Sequence, residues 1–339
     1  MVKSIIPKEG YDFLLNKVGS LLENARKLVS YQANQILVKT YWEIGKEIVE
    51  FEQRGKEKAE YGSGLLKRIS SDLTLRYGKG FSEDNLEKMR KFYRFFPNSE
   101  TLSRKLSWSH YCSIMRLGDV LARDFYLIET EKSGWGVREL DRQINSMLFE
   151  RIALNKNKKE IFDLSKRGQV IEKSEDLIKD PYILEFLGLE GKPSYSETKL
   201  ESLLIDNLEQ FMLELGKGFM FVARQQKITL ENEHFYLDLV FYNRILRCFV
   251  IIELKLGKLT HKDLGQLQMY VNYYDRTIKL PEENNTVGIL LCADKKEAIV
   301  KFTLPLENQQ IFASQYQLYL PKREELEIKL KKILNTTKI

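Results

Sequence analysis

Residues 235–255 read FYLDLVFYNRILRCFVIIELK, and this stretch decides the fold of the second half of the chain. Two apolar runs, 235–242 and 247–255, flank the short connection 243–247, a spacing that predicts an antiparallel hairpin. Phe249-Val250-Ile251-Ile252 is apolar at successive positions, as a central strand covered on both faces must be. Three charges break this apolar setting. Asp238 interrupts the first run, and Glu253 and Lys255 end the second. Residues two apart on a strand share a face, so Glu253 and Lys255 point the same way, and hairpin pairing can set Asp238 beside Glu253. Buried charge is costly unless it is paired or holds a metal. Two neighbouring carboxylates repel, and a divalent cation between them removes the repulsion. Their hard oxygens favour Mg2+, with Mn2+ able to substitute.

An ammonium beside such a cation completes a phosphodiester-hydrolysing set. Lys255 would orient the attacking water and offset anionic charge in the transition state. The tripeptide Glu-Leu-Lys alone reads as a surface ion pair at a strand end, because such triplets arise often by chance. The flanking elements sharpen the choice. Upstream, a helix over 195–215 places Glu201 on the apolar stripe with Leu204, Ile205, Leu208 and Met212, facing the sheet. Glu197, Glu209 and Glu214 compete for that role. Downstream, a helix over 262–275 carries Gln266 and Tyr270 one turn apart, able to bond water and phosphate near a cation; singly, each also suits an ordinary helix surface. Further strands at 219–230, 286–293 and 311–319, with a short helix at 295–304, predict an α/β domain around a mixed sheet over 195–339.

The first half lacks period-two alternation. Helices are predicted over 9–52, 61–76, 83–96, 108–129 and 135–154, with Gly55 ending the first, Ser82 capping the third and Pro97 stopping it. This gives an all-α domain over 1–155, and 156–194 is expected to connect it to the second domain. Within 65–95, eight basic residues stand against four acidic ones, with Phe81, Phe92, Tyr93, Phe95 and Phe96 interleaved. Two helices around a glycine-bearing turn resemble a helix-turn-helix. Lys79, Ser82, Asn85, Lys88 and Lys91 would then meet nucleic acid, the lysines on phosphates. A basic helical pair packing on the rest of the protein or on another subunit explains the same residues. Trp108 and Trp135 read as core.

The chain has 339 residues, a net charge of +6, 43% apolar and 30% charged residues, which suits two globular domains. A charge this mild permits nucleic-acid binding without demonstrating it. Cys112, Cys248 and Cys292 are scattered and odd in number, as reduced thiols are, and the three histidines lack zinc-ligand spacing. The apolar runs are too short to cross a bilayer and the first residues do not read as a secretory signal, so a cytoplasmic protein without a membrane partner is expected. A homo-oligomer is compatible with all of this.

These residues together resemble a known family. Asp238, Glu253-Leu254-Lys255 and Gln266-xxx-Tyr270 are similar to the PD-(D/E)XK nucleases of the restriction-endonuclease-like superfamily, the last element to its RecB-like QxxxY branch. LELGKGFMFVARQ, FYLDLVFYNRILRCFVIIELKLG, GQLQMYVNYYD and KDPYILEFLGL resemble the YhcG-like branch, as do YWEIGKEIVEFEQ, YGSGLL, GKGFSEDNLEKMRKFYRFFP, LSWSHY and RDFYLIETEKSGWGVRELDRQI in the first half. The resemblance implies Mg2+ on Asp238 and Glu253, Lys255 as the catalytic lysine and Glu201 as the helix carboxylate. Asn243 stands where the family has histidine, and Leu237 where the superfamily's name has proline. A DNA endonuclease is the leading expectation. A DNA-binding or assembly protein with a silent site, and a nuclease for RNA or for branched or single-stranded DNA, are the alternatives.

Overall fold

Alternation in 219–258 folds as three long antiparallel strands, and the rest of the second half wraps them. The computed structural model describes residues 8–54, 61–189 and 195–335. They form two compact units, Met1–Arg123 with Glu129–Asp141, and Asp124–Ile128 with Arg142–Ile339. The expected break at Gly55 lies outside the described residues.

The first unit is helical: α1 (Lys8–Arg54), α2 (Tyr61–Tyr77), α3 (Glu83–Phe95), α4 (Trp108–Ile114), most of α5 (Val120–Ser133) and the start of α6 (Val137–Asn145). The single helix expected over 108–129 is broken, because Asp119 adopts an extended backbone and caps α5 through Leu121 N–H at 2.8 Å. The C-terminal half of α1 packs on α3 so closely that a Cβ at Gly45 would collide with the Met89 carbonyl. Leu86, Met89 and Phe92 fill that seam from α3, against Ile48 and Leu66 and beside Trp108.

The second unit contains α7 (Leu148–Ala153), α8 (Lys158–Arg167), β1 (Tyr182–Ile183), α9 (Glu197–Asp206), α10 (Leu208–Leu215), β2 (Phe219–Leu230), β3 (Glu233–Asn243), β4 (Cys248–Lys258), α11 (His261–Tyr273), β5 (Val287–Asp294), α12 (Glu297–Thr303), β6 (Ile311–Gln317) and α13 (Arg323–Asn335). The helix expected over 135–154 breaks at Met147, whose left-handed φ of 55° separates α6 from α7. The expected 195–215 helix likewise breaks at Asn207.

The sheet runs β1-β6-β5-β4-β3-β2, antiparallel across β2–β3–β4 and parallel from β4 to β1. One face carries α9 and α10, with Leu200, Leu204 and Phe211 buried against Leu239, Phe241, Val250 and Ile252. The other carries α11, with Leu264, Leu267 and Val271 against Val240, Ile251 and Leu290. This two-sided cover explains the unbroken apolar run in β4.

The described part of the expected connection 156–194, residues 156–189, is structured. It supplies α8 and the edge strand β1, and Leu177, Tyr182, Leu184, Leu187 and Leu189 are buried in the same core as the central strands; 190–194 lie outside the described residues. The apolar positions of KDPYILEFLGL fix this, because exposing them would forfeit roughly 1.5 kcal/mol or more each. Asn243 closes the hairpin. Its Oδ1 accepts the N–H groups of Ile245 and Leu246 at 3.0 and 3.1 Å, and its Nδ2 donates to the Lys217 carbonyl at 2.9 Å. A fully buried asparagine making three bonds is a turn builder.

Candidate active site

Pairing between β3 and β4 runs from Asn243↔Cys248 to Leu239↔Ile252 and stops. Beyond it β3 continues on β2, and β4 continues on β5, so the sheet opens into a fork. Asp238 and Glu253 stand at its mouth, at the next register position. Their carboxylates replace the missing ladder bonds: Glu253 Oε1 accepts Asp238 N–H at 3.1 Å, and Asp238 Oδ2 accepts Leu254 N–H at 2.9 Å. Each acid is thus held by the other's strand. Lys255 lies on the same strand face as Glu253, and its ammonium reaches Glu197 at 3.4 Å and Asp263 at 3.9 Å.

Glu201 projects from α9 and is buried, with only 4% exposed. The side-chain amide of Gln225 spans it and Asp238, donating to Glu201 Oε2 at 2.6 Å and to Asp238 Oδ1 at 3.1 Å. Gln225 was not singled out from sequence. A polar residue in the run Arg224-Gln225-Gln226-Lys227 carries no signal, and its left-handed φ of 45° is visible only in the fold. Strain of this kind persists where surroundings over-determine it, commonly at working sites. Arg224 Nε lies 3.2 Å from Glu201 Oε1, an oxygen that is buried and has no hydrogen bond.

On the opposite helix Gln266 Nε2 donates to Tyr270 Oη at 2.5 Å, and that hydroxyl donates to the Tyr236 carbonyl at 3.4 Å, two residues before Asp238. The other acids considered for the helix role separate cleanly. Glu197 pairs with Lys255, Glu209 is exposed, and Glu214 lies fully buried beside Arg151.

The charges explain what the fork can hold. Burial, and then the Asp238 charge, push the Glu253 carboxyl up to about 8. Burial also raises Asp238, against the pull of Leu254 N–H, the Gln225 amide and Lys255. Glu201 is raised by burial and by Asp238. Burial lowers Lys255, but Glu197 and Asp263 outweigh it and keep the ammonium above its ordinary value. Tyr270 is raised by burial, with Glu253 and Asp238 adding to it, so all three groups share one field. The raised acids and the charged lysine thus meet at one opening of the sheet. Glu253 Oε2 has no hydrogen bond among the described residues. No three His, Cys, Asp or Glu side chains among the described residues converge as a ready metal cage. Asp238 and Glu253 are the two carboxylates of the fork that a divalent cation would take, the rest of its shell then coming from water and substrate oxygens.

This carries a pH prediction for the metal-free protein. Glu253 holds a proton in the folded state that the unfolded chain releases near 4.5, so stability falls as pH rises from 4.5 to about 8. In excess chelator, Glu253→Gln is expected to melt several degrees above wild type at pH 8 and level with it at pH 4.5. Equal melting at both pH values would show that the carboxyl is not held protonated.

A model of the YhcG PDDEXK nuclease domain matches residues 175–331, and a model of the DUF1016 N-terminal domain matches 17–151. The chain is 38% identical over 349 aligned residues to the Escherichia coli (strain K12) protein named "Putative nuclease YhcG", covering 94% of this chain and 92% of that one. The chain belongs to the YhcG family of PD-(D/E)XK nucleases. Similar solved structures include a repair endonuclease from Pyrococcus abyssi (19% identity, 39% of this chain and 51% of that chain, TM-score 0.26) and EndoMS in a complex with double-stranded DNA (18%, 40% and 50%, TM-score 0.27). The chain thus matches about half the length of each of these two. The restriction-endonuclease-like fold expected for the second half is the fold of this family. No described helix is long and apolar enough to cross a membrane.

In the first unit, Ser82 Oγ accepts Asn85 N–H at 3.3 Å, and Asn85 Nδ2 donates to the Gly80 carbonyl at 2.6 Å. These two side chains close the start of α3. Lys88 pairs with Asp84 at 2.6 Å, Lys91 lies 5.0 Å from the Phe95 ring centroid, and Lys79 is exposed.

Proposed function

We propose that this chain hydrolyses phosphodiester bonds in DNA as a divalent-metal-dependent endonuclease, with Mg2+ the preferred ion and Mn2+ a substitute. The fork carries the reading: two buried acids stabilised by each other's backbone, a third acid tied in through Gln225, and a charged lysine on the same strand. Asp238 and Glu253 would hold the cation, which lowers the pKa of bound water and neutralises developing charge. Lys255, kept protonated by Glu197 and Asp263, orients the water and offsets charge on the phosphate. Gln225 fixes the Asp238 and Glu201 carboxylates relative to each other. Tyr270, steadied by Gln266, offers a hydroxyl on the side of the fork facing α11.

The test is incubation of purified protein with plasmid, linear duplex, single-stranded and branched DNA, and RNA, each with Mg2+, Mn2+ or chelator. Cutting of duplex DNA that chelator abolishes supports the reading. Cleavage confined to RNA, or none with any substrate, overturns it.

The helical unit is proposed to bind the DNA through α3. Ser82 and Asn85 act there as helix closers rather than base contacts, which leaves Lys79, Lys88 and Lys91 for phosphates. The Lys88–Asp84 pair is solvent-exposed and so is weak enough for a phosphate to displace. Replacing Lys88 and Lys91 by alanine is expected to flatten the plot of log affinity against log salt by about 2 units. Binding with an unchanged slope would exclude this helix.

A further inference from the structure

From residue 10 to residue 33, α1 has almost no cover among the described residues. Leu21, Leu28, Val29 and Ile36 are 63, 61, 66 and 66% exposed, whereas Val38 and Trp42, further along the same helix, are 4 and 8% exposed. The first described bonds from α1 to the rest of its unit come from Asn34 to the Leu106 carbonyl at 3.1 Å and Gln35 to the Arg104 carbonyl at 3.3 Å. Before them, described side-chain bonds are local, such as Arg26–Glu23 at 3.2 Å.

The exposed residues are ordered. Leu15, Leu22, Val29 and Ile36 form one column with seven-residue spacing, Leu14, Leu21 and Leu28 a second, and Tyr11, Val18 and Ala25 a third. Together they make one apolar stripe. A strict seven-residue period is the mark of a left-handed supercoil against another helix, because a lone 3.6-residue helix gains nothing from it. Most helical stability in proteins comes from the packing of an apolar face against a neighbour, which this stretch lacks among the described residues.

We propose that the segment of α1 from Tyr11 to Ile36 packs against the same segment of a second copy of this chain, forming a coiled coil that assembles the protein. The seam is ~40 Å long. About ten apolar side chains per helix, at roughly 60 Å2 or more each, carry a pair of such helices to about 1,200 Å2, what a stable interface requires. The charges choose the occupant. Within the segment Lys17, Arg26 and Lys27 stand against Asp12 and Glu23, three minus two, a net charge of +1. One surplus charge is too little to hold an anionic lipid surface or a nucleic acid, both of which call for clustered basic residues. A second copy brings the same periodic stripe and adds no appreciable repulsion. The proposal is independent of the nuclease reading.

Light scattering coupled to gel filtration of the full chain tests it. Wild type is expected at two or more chain masses, and Leu14→Glu/Leu21→Glu/Leu28→Glu at one. Phe13→Glu, 70% exposed on the other side of the helix, keeps the wild-type mass. Near-ultraviolet circular dichroism from the tryptophans reports that the variants remain folded. The single variant Leu21→Glu, expected to weaken association at least tenfold, serves if the triple variant does not fold. A monomeric wild type overturns the proposal, as does an assembly that neither leucine variant weakens or that Phe13→Glu disrupts equally.

Discussion

Lys255→Ala is expected to slow DNA cleavage about 100- to 1,000-fold, the usual effect of deleting one preorganised charge from a reaction centre. Asp238→Ala is expected to do at least as much, and the double variant little more, because groups acting on one transition state do not add. Folding should survive both. Asp238 contributes a bond to Leu254 N–H, but its carboxylate also raises Glu253, so its removal relieves repulsion as it loses a contact. The measurement is initial cleavage rate under saturating Mg2+, with thermal melting of the metal-free proteins alongside. Variants that melt normally and cut at wild-type rates would place the chemistry elsewhere, and wild type that cuts in excess chelator would remove the cation from it.

Glu214→Ala should act on the fold instead. Glu214, Arg151 and Lys179 are essentially inaccessible to solvent. Arg151 Nη1 lies 2.5 Å from Glu214 Oε1, which also accepts Ile183 N–H at 3.0 Å, and the Lys179 ammonium donates to the Glu214 carbonyl. Burial raises this carboxyl, but Arg151 and Lys179 pull it below its ordinary value. Truncation leaves buried cations without their counter-charge, at a cost of roughly 3–5 kcal/mol. That corresponds to a fall in melting temperature of about 6–20 °C. The network also binds β1 to α10, so its loss should free the edge of the sheet. Denaturant unfolding of the variant checks this; a midpoint within experimental error of wild type would mean that the pair contributes nothing net.

Glu201 and Glu214 show where one-dimensional reading stops. Both sit in one amphipathic stretch, and both were candidates for the helix acid. Periodicity put Glu201 on the inward stripe, and it is buried at the fork. Nothing local distinguishes Glu214, since its partner Arg151 is 63 residues away. Lys88 and Asn85 show the converse. Both stand in a basic helix that invites a DNA reading, yet the Asn85 amide is spent on its own turn. Glycines and charges punctuate 156–189 as they do a connection, whereas its buried leucines belong to the sheet core.

What the sequence alone determined was the local part: the hairpin, the two-sided central strand, the fork's acids and lysine on known strands, and the helical character of the first half. These follow from side-chain period and from the cost of burying charge, both properties of a short stretch. Only the tertiary structure decided that pairing stops at Leu239↔Ile252, that Gln225 ties Glu201 to Asp238, and that β1 completes the sheet. Each of these joins residues distant in the chain or turns on a single backbone angle. No periodicity encodes such a choice, because it is made by the packing of whole elements.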